Sequence, residues 1–236
     1  MTKFFLYNNM KSAACFLEYF RKIRFIFLFF FLLLCIGIMP LLTEWGFGSV
    51  SEIMQMLLAL ILLASLISIV EHRLMSVLLA VILVMVVLRF LYFALHFNVM
   101  LPTSQGVQVF FCLMAVVLIL RFVMQAKRVD HDVVFAALSV YLLFGLIFGF
   151  IYFMVEGLLP GSLVHPGAGN FLEGGIQLGQ AIYFSFVTLA TLGYGDIIPA
   201  NDVIRSLAII QTMCGQVYLV VLVARLVTLY GGSSKQ

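Results

Sequence analysis

Residues 181–199 read AIYFSFVTLATLGYGDIIP, and this stretch decides the architecture of the chain. Its first half continues an apolar run from Gln177 to Ala190. A helix of about 14 residues extends roughly 21 Å, too short to cross a hydrocarbon core of about 30 Å. The second half alternates larger residues with Gly193 and Gly195. We therefore predict a short helix that enters the membrane and a loop that turns back out.

The rest of the chain has the composition of a membrane protein. Of its 236 residues, 64% are apolar, 14% aromatic and 10% charged, and its mean hydropathy is +1.20. Soluble domains are nearer about 45–50% apolar and about 25% charged, which excludes a soluble enzyme and a nucleic-acid-binding protein. Six long, predominantly apolar runs predict transmembrane helices at 23–42, 53–70, 74–97, 106–124, 133–155 and 203–230. The expected fold is an all-α membrane protein with six transmembrane helices and a re-entrant helix and loop between the fifth and sixth.

The distribution of basic residues predicts the orientation. The loops 43–52, 98–105 and 156–202 contain no Lys or Arg, whereas the opposite loops and both terminal segments are basic. Because cytoplasmic loops are enriched in Lys and Arg, we expect a multi-pass cell-membrane protein with both termini in the cytoplasm. A cleaved signal peptide is the competing interpretation of 23–42, but its lead and its apolar run are long for one.

The two glycines suggest a chemical role for the loop. Irregular backbone at membrane depth is tolerated only where it is buried in protein or lines a wet cavity. Glycine adopts positive φ without steric penalty, and alternating it with L-residues lets successive carbonyls point the same way. Four such strands around an axis can replace the hydration shell of a monovalent cation. Since the chain has one such strand, four chains in a closed ring are needed.

At these residues the chain resembles a known family. AIYFSFVTLATLGYGDIIP resembles the pore helix and selectivity filter of tetrameric potassium channels, which are the established example of a carbonyl-lined filter. RSLAIIQTMCGQVYLVVLVARLVTLY, at 205–230, resembles the inner helix of small prokaryotic channels. The resemblance covers residues 133–230 well and implies a passive, potassium-selective homotetrameric pore.

The resemblance also implies roles for single residues. Potassium would bind main-chain oxygens of four consecutive filter residues, together with the hydroxyl of the first: Thr191, Leu192, Gly193 and Tyr194. Gly195 would complete the filter. Residues that support the filter or lie at its outer mouth would be Tyr183, Phe184, Thr188 and Asp196. The two tyrosines have an alternative role as lipid-interface anchors. Leu192 departs from the commoner valine and lacks the β-branch that stiffens it.

The sixth run carries two residues of interest. Gly215 lies twenty residues after Gly195, where such channels often have a hinge glycine. It is either a gating hinge or a site of close helix packing. Gly145 and Gly149 form a small-xxx-small pair in the fifth run, which favours packing. Arg225 falls at the inner boundary, and we expect it to extend outward to the head groups; an anionic lipid is its possible partner.

The fourth run, GVQVFFCLMAVVLILRFVMQAKR, lacks the charged stripe of a voltage sensor. Only Arg121 interrupts its apolar part, and stepping by three meets Leu118 and Ala115 on the outer side. Since steep sensors move three to four charges per subunit, we predict weak or no voltage dependence. Arg89, in the third run, is a second intramembrane charge. The cysteines and histidines show no metal-ligand spacing, so no cofactor is expected apart from permeant K⁺.

These patterns predict four parts of the chain. They are a cytoplasmic amino-terminal segment 1–22, a four-helix voltage-sensor-like domain 23–130, a pore domain 131–230 and a short cytoplasmic tail 231–236. The leading function is a potassium channel. The alternative is a non-conducting or modulatory subunit that assembles with other channels. A potassium-transporter subunit is less favoured because such proteins hold four unlike pore loops in one chain. An enzyme is least favoured, because no nucleophile–base set or cofactor loop is evident.

Overall fold

The computed structural model describes residues 24–38, 101–126, 128–166 and 176–233. The elements in these ranges are α1 (Arg24–Ile38), α2 (Leu101–Gln125), α3 (His131–Leu158), β1 (Leu163–Val164), α4 (Leu178–Leu189), β2 (Ile198–Pro199) and α5 (Asp202–Ser233). The predicted runs 53–70 and 74–97, Arg89 and the amino-terminal segment 1–22 lie outside the described residues, as do residues 234–236 of the predicted tail.

Three helices in the described ranges are long and apolar enough to cross a membrane, namely α2, α3 and α5. They correspond to the fourth, fifth and sixth predicted runs, while α1 lies within the first run. The 12-residue α4 is the predicted short helix. The mostly helical architecture therefore agrees with the all-α class in outline. The total of six transmembrane spans and the orientation of the chain in the membrane stay predictions.

The main core joins α1, α2 and α3. Phe25 and Leu28 of α1 are fully buried against a cluster that includes Ile119 of α2 and Leu143 of α3. The rings of Phe25 and Phe122 lie 5.1 Å apart. Between helices that lie in a membrane, contacts of this kind stabilise through van der Waals packing, since lipid tails are as apolar as the side chains. This core crosses the predicted boundary between residues 130 and 131.

Two glycines bring α3 and α4 into close contact. A Cβ placed at Gly145 would lie 2.3 Å from the ring of Phe186, and one at Gly149 would lie 2.8 Å from Cγ1 of Ile182. No side chain fits into either space without displacing its neighbour. The small-xxx-small pair is thus confirmed as a packing motif.

A two-stranded ribbon ties the segment before α4 to the segment after it. β1 and β2 pair antiparallel, with Leu163 opposite Pro199. The buried carboxylate of Glu156 accepts hydrogen bonds from the N–H groups of Gly161 (2.8 Å) and Leu163 (3.0 Å). The Gly/Pro-rich composition of residues 157–175 predicts an irregular loop. The structure instead forms a short strand, β1, within this segment. The ribbon holds the end of α3 against the chain that enters α5.

Candidate functional site

The helix α4 begins in a reciprocal cap. The N–H of Gln177 donates to Oε1 of Gln180 at 2.9 Å, and the N–H of Gln180 donates back to the Gln177 side chain. This capping box satisfies two of the donors that a helix start leaves open. The helix starts at Leu178 with Gln177 as its N-cap, in agreement with the apolar run that begins at Gln177.

The end of α4 and the start of the loop form one hydrogen-bonded cap. The N–H of Thr191 donates to the carbonyl of Thr188 at 3.0 Å, and the N–H of Leu192 donates to the carbonyl of Val187 at 2.9 Å. Together these bonds form a Schellman motif, whose left-handed residue is usually glycine. Here that position is held by Thr191. The first predicted filter residue is consequently built into the helix terminus.

Every second residue of the loop has a left-handed backbone. The φ angles are 57° at Thr191, 58° at Gly193 and 77° at Gly195. Alternating left- and right-handed residues align successive N–H groups on one side of the chain, and the planar trans peptide then directs the carbonyls to the other side. Positive φ at every second residue is compatible with the carbonyl ladder that the sequence predicts. The glycines are predictable at such positions, whereas a β-branched residue with positive φ is an outlier.

The loop lies open at the surface of the single chain. Residues 191–196 are all exposed, with Leu192 at 54% and Tyr194 at 66%. An exposed strand with strained backbone persists only when its surroundings hold it. The cap at Thr191 secures the end of the loop that the sequence predicts to be the inner one, and the contacts of Asp196 secure the predicted outer end.

Three groups hold Asp196 at the outer end of the loop. The hydroxyl of Tyr183 donates to Oδ2 at 2.7 Å, and the N–H of Ile197 donates to Oδ1 at 3.0 Å. Nδ1 of His165 lies 3.0 Å from the main-chain oxygen of Asp196. Because a carbonyl only accepts hydrogen bonds, Nδ1 carries the proton. Asp196 therefore links α4 to the ribbon.

The contact between Asp196 and Tyr183 shifts both acid–base equilibria. The hydrogen bond from Tyr183 stabilises the carboxylate and lowers the pKa of Asp196 from its ordinary value. The same bond raises the pKa of Tyr183 to about 12. The carboxylate thus stays ionised over a wide pH range and presents negative charge beside the loop.

The other predicted supporting residues point in different directions. The ring of Phe184 packs edge to face on Tyr152 of α3, with ring centroids 5.0 Å apart. In the single chain the ring of Phe184 therefore faces α3, whereas the hydroxyl of Tyr183 bonds to Asp196 of the loop. The main-chain oxygen of Thr188 accepts the Thr191 bond and lies 3.5 Å from the Thr212 hydroxyl of α5. Thr188 thus lies at the junction of cap and inner helix.

Gly215 contacts the end of α4. A Cβ at this position would lie 2.5 Å from Cδ1 of Leu189 and 3.6 Å from the Leu189 carbonyl oxygen. The helix α5 runs continuously through it from Asp202 to Ser233. The packing interpretation of Gly215 therefore has a defined contact, and the hinge stays a prediction.

Arg225 lies differently from the expectation based on sequence. Its Nη2 donates to the main-chain oxygens of Met124 (3.0 Å) and Ala126 (3.1 Å), at the end of α2. The last carbonyls of a helix lack intrahelical donors and carry partial negative charge. The guanidinium therefore caps a neighbouring helix instead of extending freely to the head groups. This contact joins the carboxyl-terminal part of α5 to α2.

Sequence reasoning missed several residues around the site. His165 gave no signal, because its partner is a main-chain carbonyl 31 positions away. Gln211 is fully buried on α5 and bonds to both α3 and α4. The sequence does mark Gln211, because a glutamine inside an apolar run must find hydrogen-bond partners where no water is present.

Two comparisons with known proteins give a match. Residues 140–231 match the sequence model of a family described as ion channel. A stretch of 49 residues is 44% identical to Two-pore potassium channel 4 of Arabidopsis thaliana, covering 21% of this chain and 17% of that protein. The chain thus matches about a sixth of the length of this curated relative. No solved structure matches.

The matched range extends from α3 through the loop to α5, which is the part that carries the capped helix and the alternating backbone. The chain is therefore similar to an ion-channel family over this range, and it has three helices suited to crossing a membrane. These findings support the resemblance to potassium channels on which the sequence interpretation depends.

Proposed function

We propose that four copies of this chain form a potassium-selective pore that conducts K⁺ passively. The observation that carries the proposal is the backbone of residues 191–195, where positive φ recurs at every second residue directly after the capped end of α4. One such strand covers a cation on one side only. Four strands in a closed ring surround it with oxygen on all sides.

The exposed surface of α5 supports an assembly. Apolar side chains that are more than half exposed in the single chain cover a broad face of α5: Ile209, Ile210, Met213, Val217, Val220, Val221, Val223, Val227 and Tyr230. A contiguous apolar face of this kind is covered by lipid, by neighbouring copies or by both. The proposed tetramer covers part of this face and brings the four loops to one axis.

In the pore, each element has a physical task. Dehydrated K⁺ binds to the carbonyl oxygens of Thr191, Leu192, Gly193 and Tyr194 and to the Thr191 hydroxyl. Asp196 provides a negatively charged outer mouth, which raises the local cation concentration. The carboxyl end of α4 directs partial negative charge to the inner end of the filter. Transport is electrodiffusive and involves no covalent chemistry.

The test is reconstitution of the purified chain into liposomes with imposed gradients. Flux in potassium but not in sodium, with barium block, is the expected result, together with particles of tetrameric mass. A monomeric particle, or equal permeation of sodium, contradicts the proposal. If the tetramer forms but conducts only when co-expressed with another channel, the alternative of a modulatory subunit replaces it.

The pore is expected to have weak or no voltage dependence. Arg121 lies on α2 and is the single cation in its apolar part. A charge that crosses the full field is worth about 2.3 kcal/mol per 100 mV, and one charge near the inner face contributes less. A steep conductance–voltage curve from the purified protein contradicts this expectation.

The proposed pore lies in the cell membrane with both termini in the cytoplasm. The basic loops predict this orientation, and it places Arg225 at the inner leaflet. An anionic lipid near Arg225 stays a proposal. Such a lipid would be a further partner of a guanidinium that already bonds to two carbonyls of the chain.

A further inference from the structure

A buried glutamine connects the three helices of the matched region. Gln211 of α5, Ser185 of α4 and Tyr152 of α3 are each fully buried. The Tyr152 hydroxyl lies 2.6 Å from Oε1 of Gln211, and Nε2 of Gln211 lies 2.9 Å from the Ser185 carbonyl oxygen and 2.7 Å from the Ser185 hydroxyl. The Ser185 hydroxyl reaches the carbonyl of Gly145 at 2.6 Å.

The hydrogen bonds in this network have one direction. A main-chain carbonyl only accepts, so the amide nitrogen of Gln211 must face Ser185. The amide oxygen then faces Tyr152, whose hydroxyl donates to it. Because the Ser185 hydroxyl accepts from Gln211, it gives its own hydrogen to Gly145. Each side-chain donor hydrogen in the network therefore has an acceptor. Exchanging the amide nitrogen and oxygen of Gln211 would turn its oxygen towards the Ser185 carbonyl, which cannot donate.

We infer that Gln211 is a positioning residue that sets the depth and rotation of α4, and through it the diameter of the filter. This inference depends on the proposed function. Ser185 lies six residues before Thr191, which is roughly 9 Å along a rigid helix. A shift of α4 at Ser185 therefore moves the Schellman cap and the first filter carbonyl with it.

The surroundings make the network difficult to replace. α4 also contacts α3 through the Tyr141 hydroxyl, which lies 3.4 Å from the Leu189 carbonyl oxygen. Its other contacts with α3 include the ring of Phe186 and the side chain of Ile182, which fill glycine spaces without directional bonds. Apolar contacts of this kind allow sliding, whereas a glutamine amide with three bonds does not. At membrane depth no bulk water takes over a lost bond, so the loss of Gln211 leaves Ser185 without its directional contact to α5.

The test compares Gln211→Met, Ser185→Ala and Tyr152→Phe in reconstituted tetramers. The readout is the reversal potential with potassium on one side and sodium on the other. This quantity is independent of how many channels fold, so a merely structural role does not change it. We expect the potassium-to-sodium permeability ratio to fall by about tenfold in Gln211→Met, from the loss of three bonds, and by less in Tyr152→Phe, which spares both bonds to Ser185.

The matched control is Gln108→Met. Gln108 is a buried glutamine of α2 whose amide lies 4.0 Å from Sγ of Cys112 and makes no bond to α4. Its substitution should leave the permeability ratio unchanged. A ratio in Gln211→Met within about twofold of the wild type, or an equal change in Gln108→Met, overturns the inference.

Amide hydrogen exchange along α4, measured on the same particles, separates this inference from the proposed function. Faster exchange in Gln211→Met by about tenfold is expected, with no change in Gln108→Met. If the wild-type chain conducts no potassium, the proposed function fails and the filter part of the inference with it. The exchange result then decides alone whether Gln211 positions α4, and unchanged exchange overturns that as well.

Discussion

Replacing Gly193 by alanine tests whether the filter depends on backbone geometry or on space. Gly193 has φ +58°, and a Cβ built there meets no atom of the chain within 4 Å. Within one chain the cost of alanine is therefore conformational. A left-handed L-residue costs about 1–2 kcal/mol, so four copies in a ring cost about 4–8 kcal/mol. At about 1.4 kcal/mol per factor of ten, the conducting population falls by roughly 10³- to 10⁶-fold.

The assay is potassium flux per tetramer, measured in liposomes with protein of verified mass. Mixed tetramers add a stricter test, since each Gly193→Ala copy should reduce flux by about 5- to 30-fold if the costs add. The matched control is Gly106→Ala on α2, where a Cβ also meets nothing within 4 Å and φ is not positive. It should conduct normally and be slightly more stable, as expected for alanine in a helix. Flux from Gly193→Ala tetramers within about tenfold of the wild type would refute the backbone argument.

Three further predictions concern packing, capping and pH. Gly215→Ala should destabilise the folded protein by about 1–3 kcal/mol through overlap with Leu189, and adding Leu189→Ala should restore part of the loss in thermal unfolding. Arg225→Gln should cost about 1 kcal/mol by removing the cap on α2, seen as a lower unfolding midpoint. The pKa of Asp196 is lowered from 3.8. The stabilisation that its ionised carboxylate provides is therefore complete above pH 3.8 and is lost as the pH falls through the lowered pKa. Tyr183→Phe removes the hydrogen bond that is the main cause, so the acid loss of potassium flux should begin at higher external pH.

Each of these predictions has a control or a contrary result. If Leu189→Ala does not rescue Gly215→Ala, the hinge interpretation gains over packing. Arg205→Gln is the control for Arg225. Arg205 is exposed and pairs with the exposed Asp202, a kind of pair worth about 1 kcal/mol or less, and the carbonyl that it reaches, that of Pro199, belongs to β2 and not to a helix end. An equal effect of both substitutions contradicts the capping role. The pKa of the Tyr183 hydroxyl, about 12, sets the alkaline limit of the contact with Asp196. The stabilisation by this hydrogen bond is complete below pH 10 and is lost as the pH rises through 12. An acid profile identical in wild type and Tyr183→Phe contradicts the Asp196 contact.

The features that follow from local sequence were predictable. The apolar runs at 106–124, 133–155 and 203–230 correspond to the three long apolar helices, and the run from Gln177 to Ala190 corresponds to α4. Gly193 and Gly195 have the positive φ that their pattern suggested. Hydrophobic periodicity and glycine spacing report on neighbours a few residues away, so they are visible without the fold.

The contacts that hold the site in place were decided by tertiary structure. Partners of His165, Arg225 and Gln211 lie 26 to 101 positions away along the chain, and most are main-chain carbonyls. A carbonyl is present at every position and has no residue type that marks it in the sequence. Thr191 shows the same limit, because its side chain disfavours the left-handed backbone that the cap of α4 imposes on it. The sequence by itself determined which segments are apolar enough to cross a membrane and where glycines permit positive φ. Only the packing of α3, α4 and α5 decided which groups hold the loop, because those groups meet across the chain.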